Sequence, residues 1–195
     1  MFANVFRKTL RDQRYALIGW GSGIAVMVLA MAALWPSVRE MFDQDLLAAY
    51  PEPIQRLFDV EAMATGAGFL NAELFSLLLP ALFIAYGISR GSRLVAGEEQ
   101  DGMLEAVIVT PISRSRILLD KGAGLAVGIV GLGIVLFVFT VLSSFMMGMG
   151  IPAGHAAIGA IAMALIGIQH GWLPSPWVGP RGAGASRSPY PGPWR

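Results

Sequence analysis

The fold class the sequence predicts is all-α: a polytopic transmembrane helix bundle of about four spans, with a disordered Pro/Gly-rich C-terminal tail. Three observations carry that expectation. Of the 195 residues, 55% are hydrophobic and only 14% charged, with a mean hydropathy of +0.61, which is more apolar than a soluble domain of this size ordinarily reads. The apolar residues fall in long runs, most of them close to the ~20 residues that cross a bilayer core, rather than in short periodic stripes. The charges collect between those runs, and their sign differs from one connection to the next. With a formal net charge of +1 there is no global field to recruit nucleic acid, and with no Cys there is neither a disulfide framework nor a thiolate metal site.

Residues 1–14 carry Arg7, Lys8, Arg11 and Arg14 against the single Asp12, so they read as a basic cytoplasmic N-terminus. The run 15–35 follows as the first span, with Tyr15, Trp20 and Trp35 at or near its ends. A cleaved signal peptide is the competing reading, but the apolar run is too long for one and further spans follow. Gly19 and Gly23 form a small-xxx-small pair that allows close helix approach. From 36 to 68 acidic residues outnumber Arg39 and Arg56, as in an external loop, with short amphipathic pieces that cap the bundle or lie along the membrane. The second span is expected at 69–88, with Pro80 in its middle to kink it. Asn71 and Glu73 at its outer end form a candidate intramembrane polar site, because a carboxylate within a span is a functional hypothesis by default. The alternative for Glu73 is an interfacial residue that favours the positive end of the helix dipole.

The third span is expected at 122–147, with Gly124 and Gly128 as a second small-xxx-small pair, and a short uncharged connection makes it an antiparallel hairpin with the next. The fourth apolar run starts near Ala156, and even with residues from 151 onward it reaches only 168, at the lower margin for a span. At Gln169 the composition changes abruptly. Residues 169–195 hold six of the twelve Pro and three of the five Trp, with no acidic residue and no Lys. They read as a disordered or polyproline-like tail, and out-of-frame translation of a longer chain, starting near Gly167 to Gln169, is the preferred explanation.

Between the second and third spans lies the cytoplasmic segment 89–121. From Arg90 to Lys121 it holds five basic and five acidic residues, so its charge density is high while its net charge is about zero. Met103, Leu104, Val107 and Ile108 recur at helical spacing, and Thr110-Pro111 stops the pattern. On composition alone a solvated loop between membrane helices is the favoured reading for a segment of this kind. The residues Ala96-Gly97-Glu98-Glu99, Gly102, Leu104-Glu105, Thr110-Pro111-Ile112-Ser113-Arg114, Ile117 and Lys121 resemble the cytoplasmic loop of ABC transporter permeases of the type-2 exporter class. The resemblance covers roughly residues 1–168. It implies a permease subunit that couples ATP hydrolysis by a separate ABC subunit to export, works with a second permease copy or a related one, and sits in the cell membrane with its N-terminus inside. It further implies a coupling loop. Leu104, Val107 and Ile108 would fill an apolar groove on the ATPase, and Glu98, Glu99 and Glu105 would meet basic residues there. Arg114 and Lys121 would hold the loop against its own spans or the lipid head groups, and Gly102 and Pro111 would shape its turns.

The same segment argues against ATP binding by this chain. Gly97 and Gly102 have the spacing of a phosphate-cradling loop, but Met103 and Leu104 stand where Lys and Ser or Thr are required. No cofactor is expected on the chain, and ATP and Mg belong to the partner. His155 and His170 have no carboxylate pair spaced to complete a metal site. A membrane scaffold using the same loop for a partner that is not an ATPase, an inactive truncated permease, and an integral membrane enzyme are the other readings. The enzyme reading lacks catalytic residues: Ser22, Ser76, Ser143 and Ser144 have no His securely within a span to face.

Overall fold

The structure is a computed structural model, and it describes residues 2–41, 60–100 and 114–172. Every regular element among them is helical: α1 (Phe2–Met41), α2 (Val60–Met63), α3 (Gly66–Leu70), a π-helical turn (Asn71–Phe75), α4 (Leu78–Gln100), α5 (Arg114–Met147) and α6 (Ala153–Trp172). Three helical stretches are long and apolar enough to cross a membrane: Gln13–Met41, Leu119–Met147 and Ala153–Trp172. The pair Gly66–Phe75 and Leu78–Ser92, bent by 40°, makes a fourth if it is counted as one broken span. Beyond Lys121, helix α5 is apolar nearly all round, as suits a helix with protein on one side and lipid on the other. Phe145, Ile134 and Val138 point outward from it while Ile129, Leu132 and Leu136 are buried.

The helices are layered by their contacts. Helix α1 packs along α5, α5 along α6, and α6 along α4. A core of Val28, Ala32, Leu79, Phe83, Ile129 and Leu136 fills the middle. The closest crossing is between α4 and α6, which run in the same direction. A Cβ on Gly87 would collide with the Gly167 carbonyl oxygen, and one on Gly91 with that of Gly171. Two small-xxx-small pairs thus face each other backbone to backbone, the device that lets membrane helices gain packing where lipid offers no hydrophobic drive. The first pair singled out in the sequence behaves differently. Gly19 and Gly23 are exposed, with nothing near the place of a side chain, so they make no helix crossing here.

The hairpin expected between the third and fourth spans is present, and its geometry is specific. Gly148 and Gly150 both take positive φ, 61° and 68°, which L side chains adopt only at a cost. The Met149 N–H donates to the Ser144 carbonyl at 3.0 Å, and the Ile151 N–H donates to Ser144 Oγ at 2.9 Å. Met149 is buried against Gly66, where any side chain would strike it. Replacing Ser144 with Ala leaves the Ile151 N–H without its acceptor and is expected to cost about 1–2 kcal/mol, measured as a lowered melting temperature in detergent.

Several helix limits differ from the span limits the sequence predicts. Helix α1 does not end at 35 but passes Pro36 and reaches Met41, held where Trp35 is buried against the Phe69 ring, centroids 5.8 Å apart. The second span is broken one turn before Pro80 rather than kinked at it. Ser76 N–H bonds the Asn71 carbonyl at 2.9 Å, five residues back, and Ala81 N–H bonds Leu77 at 3.0 Å. Pro80 has no N–H for the Ser76 carbonyl and its ring excludes that carbonyl. The chain therefore inserts a π turn and restarts at Leu78, with Pro80 in the first helical turn, where it is tolerated. Helix α4 then continues to Gln100, so the first residues of the segment 89–121 are helical. Finally, α6 spans 153–172 instead of ending at 168. Gly171 fits against Gly91 and Leu125, and His170 Nδ1 lies 2.8 Å from the Ile166 carbonyl, to which it donates. The expected tail beyond Trp172 lies outside the described residues.

Candidate coupling site

The segment resembling a coupling loop is held by two helical stems. Helix α4 leads into it as far as Gln100, carrying the backbones of Glu98 and Glu99, and α5 leads out of it from Arg114. Lys121 sits on α5 and is half-buried. Gly102, Leu104, Glu105, Val107, Ile108 and Pro111 lie outside the described residues. What the structure adds is the base of the stems. Gly91 on α4 takes the Gly171 backbone of α6 in direct contact, and a Cβ on Gly122 of α5 would meet Trp172 Cη2 at 2.6 Å. The last two residues of α6 therefore fasten both stems at the point where they enter the bundle. A displacement of either stem must move α6 or open these contacts, because close-packed backbones do not deform continuously.

Sequence reasoning missed this clamp. Gly171 and Trp172 fall beyond residue 168, where composition turns Pro/Gly-rich, and the change of composition hid their role. The spacing was available: Gly87 and Gly91, like Gly167 and Gly171, are four apart and so share one helix face.

Asn71 and Glu73 are both on the π turn and both exposed. They stand on the bent span at the end remote from the stems. A π turn places side chains off the regular helical register and recurs at functional positions. Since Glu73 is solvent- or lipid-facing, Glu73→Gln is expected to change stability by less than about 0.5 kcal/mol. A melt of the purified variant checks this. Transport by the same variant then tests the carboxylate on an intact fold, and unchanged transport removes Glu73 from the mechanism.

The family profile for the C-terminal domain of the multidrug efflux system permease Rv1217c matches residues 4–180. The chain belongs to this family. No curated protein and no solved structure matches it. The match, the apolar helices and the bent span together make this a multi-pass membrane permease domain. The matched range takes in the whole of α6 and passes residue 168, so the clamp residues Gly171 and Trp172 belong to the permease domain itself.

Proposed function

We propose that this permease is the membrane-spanning part of an ATP-driven exporter of the type-2 ABC class, and that the segment between α4 and α5 is its coupling loop. ATP and Mg are held by a separate ABC subunit, and this chain binds neither. The carrying observation is the fastening of both stems by the end of α6, Gly91 on Gly171 and Gly122 under Trp172. A push on the loop by a closing ATPase is delivered through that clamp to three helices at once, and rocking of those helices opens a path across the membrane. The N-terminus and the loop lie on the cytoplasmic side, consistent with the basic residues before the first span. A second copy of the permease, or a related one, completes the transport unit in the bilayer.

Support for the ABC partner comes from the loop residues and from the permease family. Glu98, Glu99 and Glu105 supply a negative surface for basic residues on the ATPase, and Leu104, Val107 and Ile108 the apolar insert. The transport work is mechanical, so no residue of this chain acts as a catalyst. The test is co-purification in mild detergent of the ATPase encoded beside this permease. Capture of that subunit, with ATP turnover that responds to the permease, is the expected result. Capture of a partner that does not hydrolyse ATP turns the reading into a membrane scaffold.

A further inference from the structure

Between the outer faces of α1 and α5 the bundle leaves an open groove of about 610 Å³. It runs along α1 from Leu17 to Leu29, about 18 Å at 1.5 Å per residue, slightly more than the ~15 Å that one leaflet contributes to the hydrocarbon core. Two glycines, Gly21 and Gly131, line it, and a Cβ on Gly131 would have nothing within 4 Å. The lining is hydrocarbon apart from Ser22, whose hydroxyl donates to the Gly19 carbonyl at 2.9 Å and so is spent within its own helix. An occupant therefore meets no free polar side chain in the groove, and a long apolar chain suits it where a polar compound does not.

Positive charge marks one end of the groove. Arg14 precedes Leu17 and Ile18 by three and four residues, and Arg11 precedes Ile18 by seven, so both stand on the face of α1 that lines the groove, one to two turns outside it. Both are exposed, and on α5 the half-buried Asp120 and Lys121 add one charge of each sign at the same end. Tyr15 fixes the level. It is exposed, its hydroxyl accepts from Arg14 at 2.8 Å, and the guanidinium lies 4.5 Å from the ring centroid. A Tyr at the end of a span sits at the height of the lipid headgroups, so Arg14 stands where phosphates lie and Leu17 begins the hydrocarbon. Arg14 spends one N–H on Tyr15 and keeps the rest of its fork for an anion. A second copy seated on the groove does not match this charge. Twofold pairing of like-oriented spans puts the same residues opposite each other, so Arg11 and Arg14 would face their own counterparts.

We propose that this groove holds one acyl chain of an anionic phospholipid, whose headgroup phosphate is held by Arg11 and Arg14. The chain lies over Gly21 and Gly131 and ends near Leu29 and Phe139. The phosphate accepts hydrogen bonds from the guanidinium groups at the height that Tyr15 sets. The bound chain fills the space the two glycines leave, so α1 and α5 keep close packing on their outer side. This goes beyond the export reading and needs only the membrane permease domain, so loss of ATPase capture would leave it standing.

The probes are dioleoyl phosphatidylglycerol and dioleoyl phosphatidylcholine, which share their acyl chains and differ in net charge. Each is titrated into the delipidated full chain in mild detergent, and binding of the first lipid is read by native mass spectrometry, which also reports the oligomeric state. The wild-type protein is expected to bind the phosphatidylglycerol about tenfold more tightly. Arg11→Gln together with Arg14→Gln should bring the two lipids to the same affinity. Arg39→Gln removes an exposed charge at the far end of α1 and should keep the preference. Gly131→Leu fills the groove from a position with open space and should weaken the first binding of both lipids about tenfold, with an unchanged melting temperature in the absence of lipid. Equal binding of the two lipids by the wild type, or a preference that survives the double Arg substitution, overturns the proposal. Undiminished binding by Gly131→Leu overturns it too, since surface charge alone would then hold the lipid. So does a clear fall in the lipid-free melting temperature of Gly131→Leu, because the position would not be open. A wild-type dimer that Gly131→Leu converts to a monomer would give the groove to a second copy of the chain instead.

Discussion

Replacing Gly87 with Val is expected to unfold the pairing of α4 with α6 and to give the largest loss of stability of any single change in the bundle. The new Cβ would be driven into the Gly167 carbonyl oxygen, and both atoms belong to helix backbone, so no rotamer change relieves the collision. Ordinary overpacking costs about 1–3 kcal/mol; a clash fixed by two helices lies at or above the top of that range. For a chain of this size, about 3 kcal/mol corresponds to a drop of roughly 10 °C in melting temperature. The same shift of α4 also loosens Gly91 from Gly171, so the proposed coupling is expected to fail with packing. Gly23→Val is the matched control. It makes the same change of residue on a helix face with open space, and a shift within about 0.5 kcal/mol is expected. Thermal melts of both variants in one detergent decide the matter. A Gly87→Val protein as stable as Gly23→Val would mean that α4 and α6 do not meet through these glycines.

That contrast also shows what was legible in the sequence and what was not. The all-helical membrane bundle was readable because runs of about 20 apolar residues leave few other options in a bilayer. The end of α5 at Met147 matched its expected limit because Gly148 and Gly150 stop a helix locally. The partner of each glycine was not readable. Gly19-Gly23 and Gly87-Gly91 look alike as strings, yet only the second faces another backbone, and that depends on how far each helix is rotated in the bundle. Pro80 marks a disturbance in the sequence, and its effect falls one turn earlier, because a proline disrupts the carbonyl four residues before it. Composition places the limit of the fourth span at 168 because Gln169-His170-Gly171-Trp172 resembles a tail. Tertiary contacts with Gly91, Leu125 and Gly122 keep it helical. The groove between α1 and α5 has no sequence signature either, since Arg11, Arg14 and Ile18 share a face by spacing but the room beside them depends on Gly131 of another helix.

The second large effect is expected in the loop. Leu104→Asp should abolish capture of the ATPase while leaving the permease inserted and folded. Leu104 belongs to the stripe of Met103, Leu104, Val107 and Ile108, and a side chain of that kind buried in a partner contributes about 1.5–3 kcal/mol. The substitution both removes that contribution and places a carboxylate in an apolar groove, where a charge without a partner is strongly disfavoured. Together these predict at least a hundredfold weaker association, since about 2.7 kcal/mol is two decades. The stems begin at residues 100 and 114 and are fastened by Gly171 and Trp172, well away from residue 104 in the chain. Yield in detergent and melting temperature should therefore stay at wild-type values. Ser113→Asp adds the same charge outside the stripe and should keep most of the capture, which separates loss of the apolar insert from a general effect of charge. If Leu104→Asp captures the ATPase as well as the wild type does, the stripe does not dock. The acidic residues Glu98, Glu99 and Glu105 would then have to carry the contact, and raised salt would weaken it where an apolar insert would hold.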